Sequence, residues 1–514
     1  MRATLPAASV ATGERPGASA RGGVFAPARV AVAAAVLAIA GIAVALRFAA
    51  LGSQPGGLYP DEAAEGWDAL RLLHQPGFHP LFFAGDGGRE PVFAYLAAAA
   101  FRVAGPSVTV LRGVAAALGV AGVVAILWAL WRFGRGVALA GGAWAAGSLW
   151  LVAVARDGMR VVLVPLIGAL ALGALVRWAE RPGVLRAVAA GLAVGLGLWG
   201  YQPLKLLPLL VAGWLLALHR LDRAAFERLR HGLPAAAVAY AAVAAPMLIY
   251  AALSPATYFG RAASVTPLGT GSANAVDHTL RTVGMFCCVG DPNGRHDVAT
   301  LPLLGVPLTL LAVLGGLRAW RRRRDPGHLL LLLGIPVFLL PPLLSLEGGA
   351  PHFLRSLGLA PFVAGLVGLG CAEVVAAARA RRPAGPRPQA LATAALATLL
   401  LAMAAGSGRA YLARPAAERY LPYAGPVVQL AAAAHPNSVA LIDGYQGMVV
   451  RFLDAERMPR LAIPGARVDP PLGWTVLALN RDDLRRSLGA AAASRAQVAA
   501  RDPRGRPSVW EVER

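Results

Sequence analysis

The segment Tyr59-Pro60-Asp61-Glu62, followed by Glu65, Trp67 and Asp68, holds the first residues able to do chemistry. Pro60 disfavours helix at Tyr59 and suits the first turn of a helix, which sets Asp61 and Glu62 at a helix start. Acids there commonly cap the helix and complement its dipole. A carboxylate in that position can equally accept the proton of an incoming hydroxyl. Farther on, Gly87-Gly88-Arg89-Glu90-Pro91 places Arg89 beside Glu90. The two form a solvated ion pair, or Arg89 alone offers its planar fork of donors to a phosphate. In Ala155-Arg156-Asp157-Gly158-Met159-Arg160, two arginines stand four apart. On a continuing helix, Arg156 and Arg160 would aim at one anion; otherwise Arg156 and Asp157 form a local network with snorkelling.

Two later segments add cations and imidazoles. Gly290-Asp291-Pro292-Asn293-Gly294-Arg295-His296-Asp297 is first of all a turn, and it lacks the spacing of a calcium loop. His352-Phe353-Leu354-Arg355 brings another arginine to the end of an apolar run. The isolated His278, His296 and His352 have no zinc-binding spacing, and no phosphate-loop, dinucleotide or nucleophile-elbow motif stands in a fitting context. No metal is assigned and no cofactor is required, although a divalent ion stays compatible with these residues.

The elements that must position these groups cross a membrane. The chain has 514 residues, 57% apolar and 15% charged, with a mean hydropathy of +0.57. That composition excludes disorder for most of the length. Three cysteines, two of them the adjacent Cys287 and Cys288, exclude a secreted disulfide scaffold. Apolar runs fall near 30–51, 107–131, 137–154, 161–178, 184–201, 203–219, 233–253, 301–319, 328–344, 356–378 and 389–405, about eleven spans on a 20-residue criterion. The first is too long for a signal-peptide core.

Arginines then sort by side. Arg132, Arg135, Arg177, Arg181, Arg186, Arg220, Arg223, Arg228, Arg230, Arg321–Arg324, Arg379, Arg381, Arg382 and Arg387 all fall in alternate loops. This is the positive-inside pattern, with the N-terminus inside and the C-terminus outside. The formal charge of +22 therefore reflects topology and anionic lipid, and not nucleic acid. Val92–Val103 is too short to span and reads as a helix on the outer interface. The expected organisation is a disordered cytoplasmic tail over 1–29, a transmembrane module over 30–408 with outer loops 52–106 and 254–300, and an extracytoplasmic α/β domain over 409–514. In that domain Ser438–Asp443, Arg460–Ile463, Trp474–Leu479 and Ser508–Val512 read as strands and Asp482–Leu488 as helix.

Charges that touch the spans, such as Arg112, Lys205 and Glu373, lie near their ends, and Lys205 is the only lysine. A transporter places ionisable groups near the midplane, whereas here acids and arginines gather at one interface. That favours chemistry on a lipid headgroup over a polyprenyl-lipid flippase or transporter, the rival reading. About eleven spans are also excessive for a mere anchor.

The order of these motifs resembles the GT-C glycosyltransferases of family 39, the bacterial relatives of protein O-mannosyltransferases and of the lipid A aminoarabinose transferase. The resemblance rests on Asp61-Glu62, Gly88-Arg89-Glu90-Pro91, Arg156-Asp157-Gly158-Met159-Arg160, Gly290–His296 and His352-Phe353-Leu354-Arg355, and covers roughly residues 30–405. It implies an α-helical polytopic membrane protein of the bacterial cytoplasmic membrane. Its implied activity is inverting transfer of a sugar from a polyprenyl-phosphate donor to a hydroxyl of a lipid, glycan or protein. In the family the first-loop acid is the base, which falls here on Asp61 with Glu62 beside it. Arg89, Arg156, Arg160 and Arg355 are the candidates for the donor phosphate, with Glu90, Asp157, Arg295, His296 and His352 as further substrate contacts. Relatives often carry lysine where Arg89 stands, and this chain has no large lectin-like insertion in the later outer loop.

Overall fold

The computed structural model describes residues 25–85, 87–265, 273–298, 300–345, 348–380, 387–454 and 458–514. Most of the expected tail (1–24), together with Arg381 and Arg382, lies outside the described residues. The first helix, Phe25–Phe48, starts ahead of the expected Val30.

Among the described residues, eight helices are long and apolar enough to cross a bilayer: Arg29–Phe48, Val108–Phe133, Arg160–Glu180, Gln202–Leu221, Leu233–Leu253, Pro326–Leu343, Leu357–Ala380 and Arg387–Leu412. The chain is thus a multi-pass membrane protein. The other three expected spans are helical but shorter or broken. Ser148, in extended conformation, separates Arg135–Gly147 from Leu149–Val154. Val184–Gly195 continues only as the 3-10 turn Leu196–Trp199. Gly305–Arg321 has 17 residues. Side-chain caps begin some of these helices: Ser107 accepts from the Val110 amide, and Asp325 from that of His328 behind Pro326 at the first helical position.

In lipid, helices associate by close packing and not by the hydrophobic effect, so small residues mark their contacts. A Cβ on Gly315 would lie 1.9 Å from the Leu366 carbonyl oxygen, and one on Gly370 1.9 Å from that of Leu311. The helices Gly305–Arg321 and Ala360–Ala380 therefore meet backbone to backbone. Leu37, Val238, Leu310 and Leu391 point outward from the bundle, as lipid-facing residues should.

The Val92–Ala104 helix follows an antiparallel bridge between Phe83 and Arg89. Phe93, Ala94, Ala97, Ala98 and Phe101 are buried, while Tyr95, Leu96 and Val103 are exposed. A short helix with apolar residues on its packed and open sides fits a bilayer surface.

Beyond the last span lies a five-stranded sheet: β1 (Ser438–Leu441), β2 (Arg460–Ala462), β3 (Thr475–Ala478), β4 (Gln497–Arg501) and β5 (Pro507–Glu513), in the order β2-β1-β3-β5-β4. β1 pairs in parallel with β2 and β3, while β5 runs antiparallel to β3 and β4. Four strands and the Arg481–Leu488 helix fall where the alternation of apolar residues places them. β4, Gln-Val-Ala-Ala-Arg, lacks enough β-branched or aromatic residues to signal a strand. The helix Gly447–Leu453 lays Phe452 on the Pro60–His74 helix, where a Cβ on Gly66 would fall 2.6 Å from the ring, and Phe452 stacks on Phe101 at 5.9 Å.

Gly370→Ala is expected to destabilise the protein by about 1–3 kcal/mol through overpacking, read as a lower melting temperature in nanodiscs. Gly316→Ala, whose Cβ would meet nothing within 4 Å, is expected to melt like wild type; equal melting of both variants would refute the close-contact argument.

Candidate active site

A cavity of ≈ 500 Å³ forms where several loops meet the ends of several spans. Its walls come from Tyr59 and Asp61, the turn at Met159–Val161, the segment 201–206, the Pro255–Val265 helix, the loop around Arg295, the segment 340–345 and the turn bearing His352 and Arg355. The C-terminal domain adds Tyr445.

Asp61 is not spent on capping. The N-cap residue Tyr59 makes no side-chain cap, Pro60 fills the first helical position, and the Asp61 carboxylate turns to the cavity. Tyr445 Oη donates to Asp61 Oδ1 at 2.7 Å, and Arg295 Nη1 lies 3.6 Å from Oδ2. Burial pushes the Asp61 carboxyl up, but Arg295, the Tyr445 hydroxyl, Arg160 and Arg261 outweigh it and hold the group below the usual aspartate range. The carboxylate is therefore ionised at neutral pH and partly open, able to take a proton from a bound hydroxyl.

Around it stand cations. Arg160, Lys205, Arg261, Arg295 and Arg355 line the same space. Arg295 lies over the Tyr59 ring at 3.4 Å, and Arg355 Nη1 donates to Ser345 Oγ at 2.8 Å. Behind the wall runs a chain of alternating charge. Arg160 binds Glu65 Oε1 at 2.6 Å and Glu90 Oε2 at 3.1 Å, and Lys205 Nζ approaches Glu90 Oε1 at 3.3 Å. Lys205 also sits 3.8 Å from the Tyr258 ring centroid. Glu90 thus orients two cations from behind instead of contacting the cavity.

Several expected contacts lie elsewhere. Glu62 is fully buried and bound twice by Arg112, at 2.8 and 3.2 Å, while Arg112 also donates to the Gly56 and Gly57 carbonyls. Neighbours on a helix point roughly 100° apart, so Asp61 facing the cavity turns Glu62 into the protein. Arg89 pairs with Asp68 behind the wall and does not reach the cavity. Arg156 and Arg160 do not share an anion, because the helix stops at Val154 and a turn intervenes before the 3-10 segment Arg160–Val162. Arg156 instead donates to the carbonyls of Leu46, Arg47, Ala49 and Gln54, closing the end of the Phe25–Phe48 helix. Asp157 is buried against the Tyr423 hydroxyl at 3.2 Å; burial, with Glu62 close by, raises it well above the usual range.

His296 and His352 do reach the cavity, with rings 4.8 Å apart. Asp291 Oδ2 lies 3.0 Å from His296 Nδ1 and accepts from the Phe353 amide, and Oδ1 accepts from Asn293. One donor atom each of Asp291, His296 and His352 falls within 4.8 Å of the others, a spacing able to hold a metal ion. The Asp291 carboxylate accepts from both loops and so clasps them together, while burial and nearby cations, among them Arg295 and Arg355, keep both imidazoles neutral, the form that ligates a metal.

Sequence reasoning did not select Lys205, Arg261 or Tyr445. Lys205 had one signal, as the lone lysine of an arginine-rich chain; Tyr445 had none.

The helical bundle with its cavity and appended sheet shares the fold of the ArnT structures. The solved structures it matches include ArnT from Cupriavidus metallidurans in the apo state, with a TM-score of 0.56 and 15% identity over 95% of this chain and 98% of that one. ArnT from the same organism bound to undecaprenyl phosphate matches with a TM-score of 0.55 and 14% identity, over 94% and 98%. No protein-family model and no curated protein matches the sequence.

Glu62→Gln would leave Arg112 buried without its counter-charge, at a cost of roughly 3–5 kcal/mol. It is expected to melt well below wild type, whereas Asp61→Asn on the cavity wall is expected to melt close to it. The reverse order would show that the two acids have been assigned the wrong way round.

Proposed function

We propose that the protein transfers a sugar from a polyprenyl-phosphate donor to a hydroxyl acceptor, with inversion, at the outer face of the bacterial cytoplasmic membrane. The observation that carries this reading is an ionised, accessible carboxylate in a cavity otherwise ringed by cations. The acceptor oxygen attacks the anomeric carbon as its proton passes to Asp61. The bond between that carbon and the phosphate oxygen breaks, and the lipid phosphate leaves with one more negative charge. Arg160, Lys205, Arg295 and Arg355 face that charge, and a well-placed donor can contribute roughly 3–4 kcal/mol to such a step. Leu206, Phe259, Leu340 and Leu344 supply an apolar flank for the prenyl chain. The ArnT structure that holds undecaprenyl phosphate supports a lipid of this class.

Connectivity supports the outward placement. The Leu163–Glu180 helix starts beside Arg160 at the cavity and ends in Arg177 and Arg181, and the helix Leu207–Leu221 starts beside Lys205 and ends in Arg220. Pro326–Leu343 runs the other way, from Arg321–Arg324 to the cavity wall at Pro341. The arginine-rich ends are thus opposite the cavity, and by the positive-inside rule they are cytoplasmic. The domain bearing Tyr445 then lies outside with the site, and the charged groups sit at the ends of spans, where a transporter would need them at the midplane.

Asp61→Asn in nanodiscs is expected to lose at least about 100-fold in turnover, as removal of a general base does, while still binding undecaprenyl phosphate. Near-normal turnover would remove Asp61 from the base role. Lys205→Met and Arg355→Ala are each expected to weaken undecaprenyl phosphate binding by about 10-fold or more, the worth of a hydrogen bond to a charged group. Unchanged affinity in both would move the phosphate elsewhere.

A further inference from the structure

The C-terminal domain reaches the candidate base. Tyr445 follows the carboxyl end of β1 by four residues, the position where parallel α/β sheets present ligand-contacting groups. Its backbone is fixed: Asp443 Oδ1 accepts from the amides of Tyr445 at 2.9 Å and Gln446 at 2.8 Å, and the Gly447 amide bonds the Asp443 carbonyl. The next helix, Gly447–Leu453, rests through Phe452 on the helix that carries Asp61. The Tyr445 side chain lines the cavity, remains 39% exposed, and meets Tyr59 edge-on at 6.2 Å and through a side-chain hydrogen bond.

We propose that Tyr445 is a positioning residue for Asp61 and closes the acceptor side of the cavity, its phenol holding the carboxylate oxygen that the acceptor hydroxyl must take over. The hydroxyl donates to Asp61 Oδ1 at 2.7 Å, as an acceptor alcohol would. Burial and the Asp61 charge push the phenol far above its ordinary range, so it stays protonated and acts only as a donor. In the resting protein it fixes the carboxylate rotamer and screens it from water. An acceptor enters as the side chain swings aside, and its hydroxyl inherits the hydrogen bond. The acceptor therefore approaches past the C-terminal domain, which becomes part of the specificity apparatus.

This inference deepens the transferase reading and rests on Asp61 being the base, so the test reads the contact without turnover. A water-soluble carbodiimide labels protonated carboxyl groups. The full chain in nanodiscs is treated between pH 4 and 7, and labelling of Asp61 is read by peptide mass spectrometry against the exposed Glu513. The groups facing Asp61 in all variants are Arg295 and His296 from the later loop, Arg160 from the 3-10 turn, Arg261 from the Pro255–Val265 helix, and Tyr59 at the start of its own helix. Tyr445→Phe keeps the ring but removes a bond that favours the ionised form. Its labelling profile is expected to shift to higher pH by about one unit, the equivalent of one charged hydrogen bond. Tyr445→Ala is expected to show that shift and, by opening the cavity, to label faster than Tyr445→Phe at every pH in this window, where wild-type Asp61 is mostly ionised. Wild-type rate and midpoint in both variants would overturn the proposal. Normal turnover of Asp61→Asn alongside the expected labelling would instead overturn the base assignment and leave the contact standing.

Discussion

A charge removed from water is tolerated only when it is paired, and in this protein that constraint organises the outer half of the fold. Asp68 with Arg89, Glu65 with Arg160, Glu90 with Arg160 and Lys205, and Glu62 with Arg112 form buried pairs across four separate stretches of chain. Each acid belongs to the segment 52–106, Arg89 lies in that same segment, and Arg112, Arg160 and Lys205 come from three others. The pairs therefore do more than neutralise: they specify which loop lies against which span. Among the described residues, what they leave at the surface of the cavity is the accessible Asp61 carboxylate together with cations, of which Arg160 and Lys205 are held from behind by Glu65 and Glu90.

The polypeptide after the last span completes this arrangement. Arg419 donates to the carbonyls of Ser53 and Pro55, and the Tyr423 carbonyl takes the Leu58 amide. Gly57 is required there, since its φ is +37° and a Cβ would fall 2.2 Å from the Tyr423 oxygen. Arg414 reaches the Gly294 carbonyl. One short segment thus ties both outer loops together on either side of Asp61. The sheet domain beyond it is not a pendant cap, because Phe452 and Tyr445 engage the helix of the candidate base directly.

How much of this was legible in the sequence depends on which physical signal each residue carries. Spans announce themselves by apolar length, and the sheet strands by alternation, so the bundle and most of the C-terminal domain could be read directly. Pro60 before Asp61 located a helix start, but the rotation of that helix is set by packing. Spacing alone therefore does not separate Asp61 from Glu62 at the cavity, and the preference for Asp61 rests on the family resemblance. Arg156 and Arg160 look like an i, i+4 pair only while the helix is assumed to continue, and the break after Val154 depends on tertiary contacts. Arg89 was plausible as a phosphate ligand until Asp68, 21 residues away, was seen to claim it. Tyr445 lies 384 residues from Asp61, and nothing local marks a contact at that range.

The bond between Arg419 and Pro55 spans 364 positions of chain. A ribosome adding 5–20 residues per second needs roughly 20–70 s to travel that far. During that interval the Ser53 and Pro55 carbonyls and the Leu58 amide lack their final partners. Biogenesis of this protein therefore includes a waiting period for the segment around Pro55, which ends only when Arg419, 364 positions later in the chain, arrives to lock it.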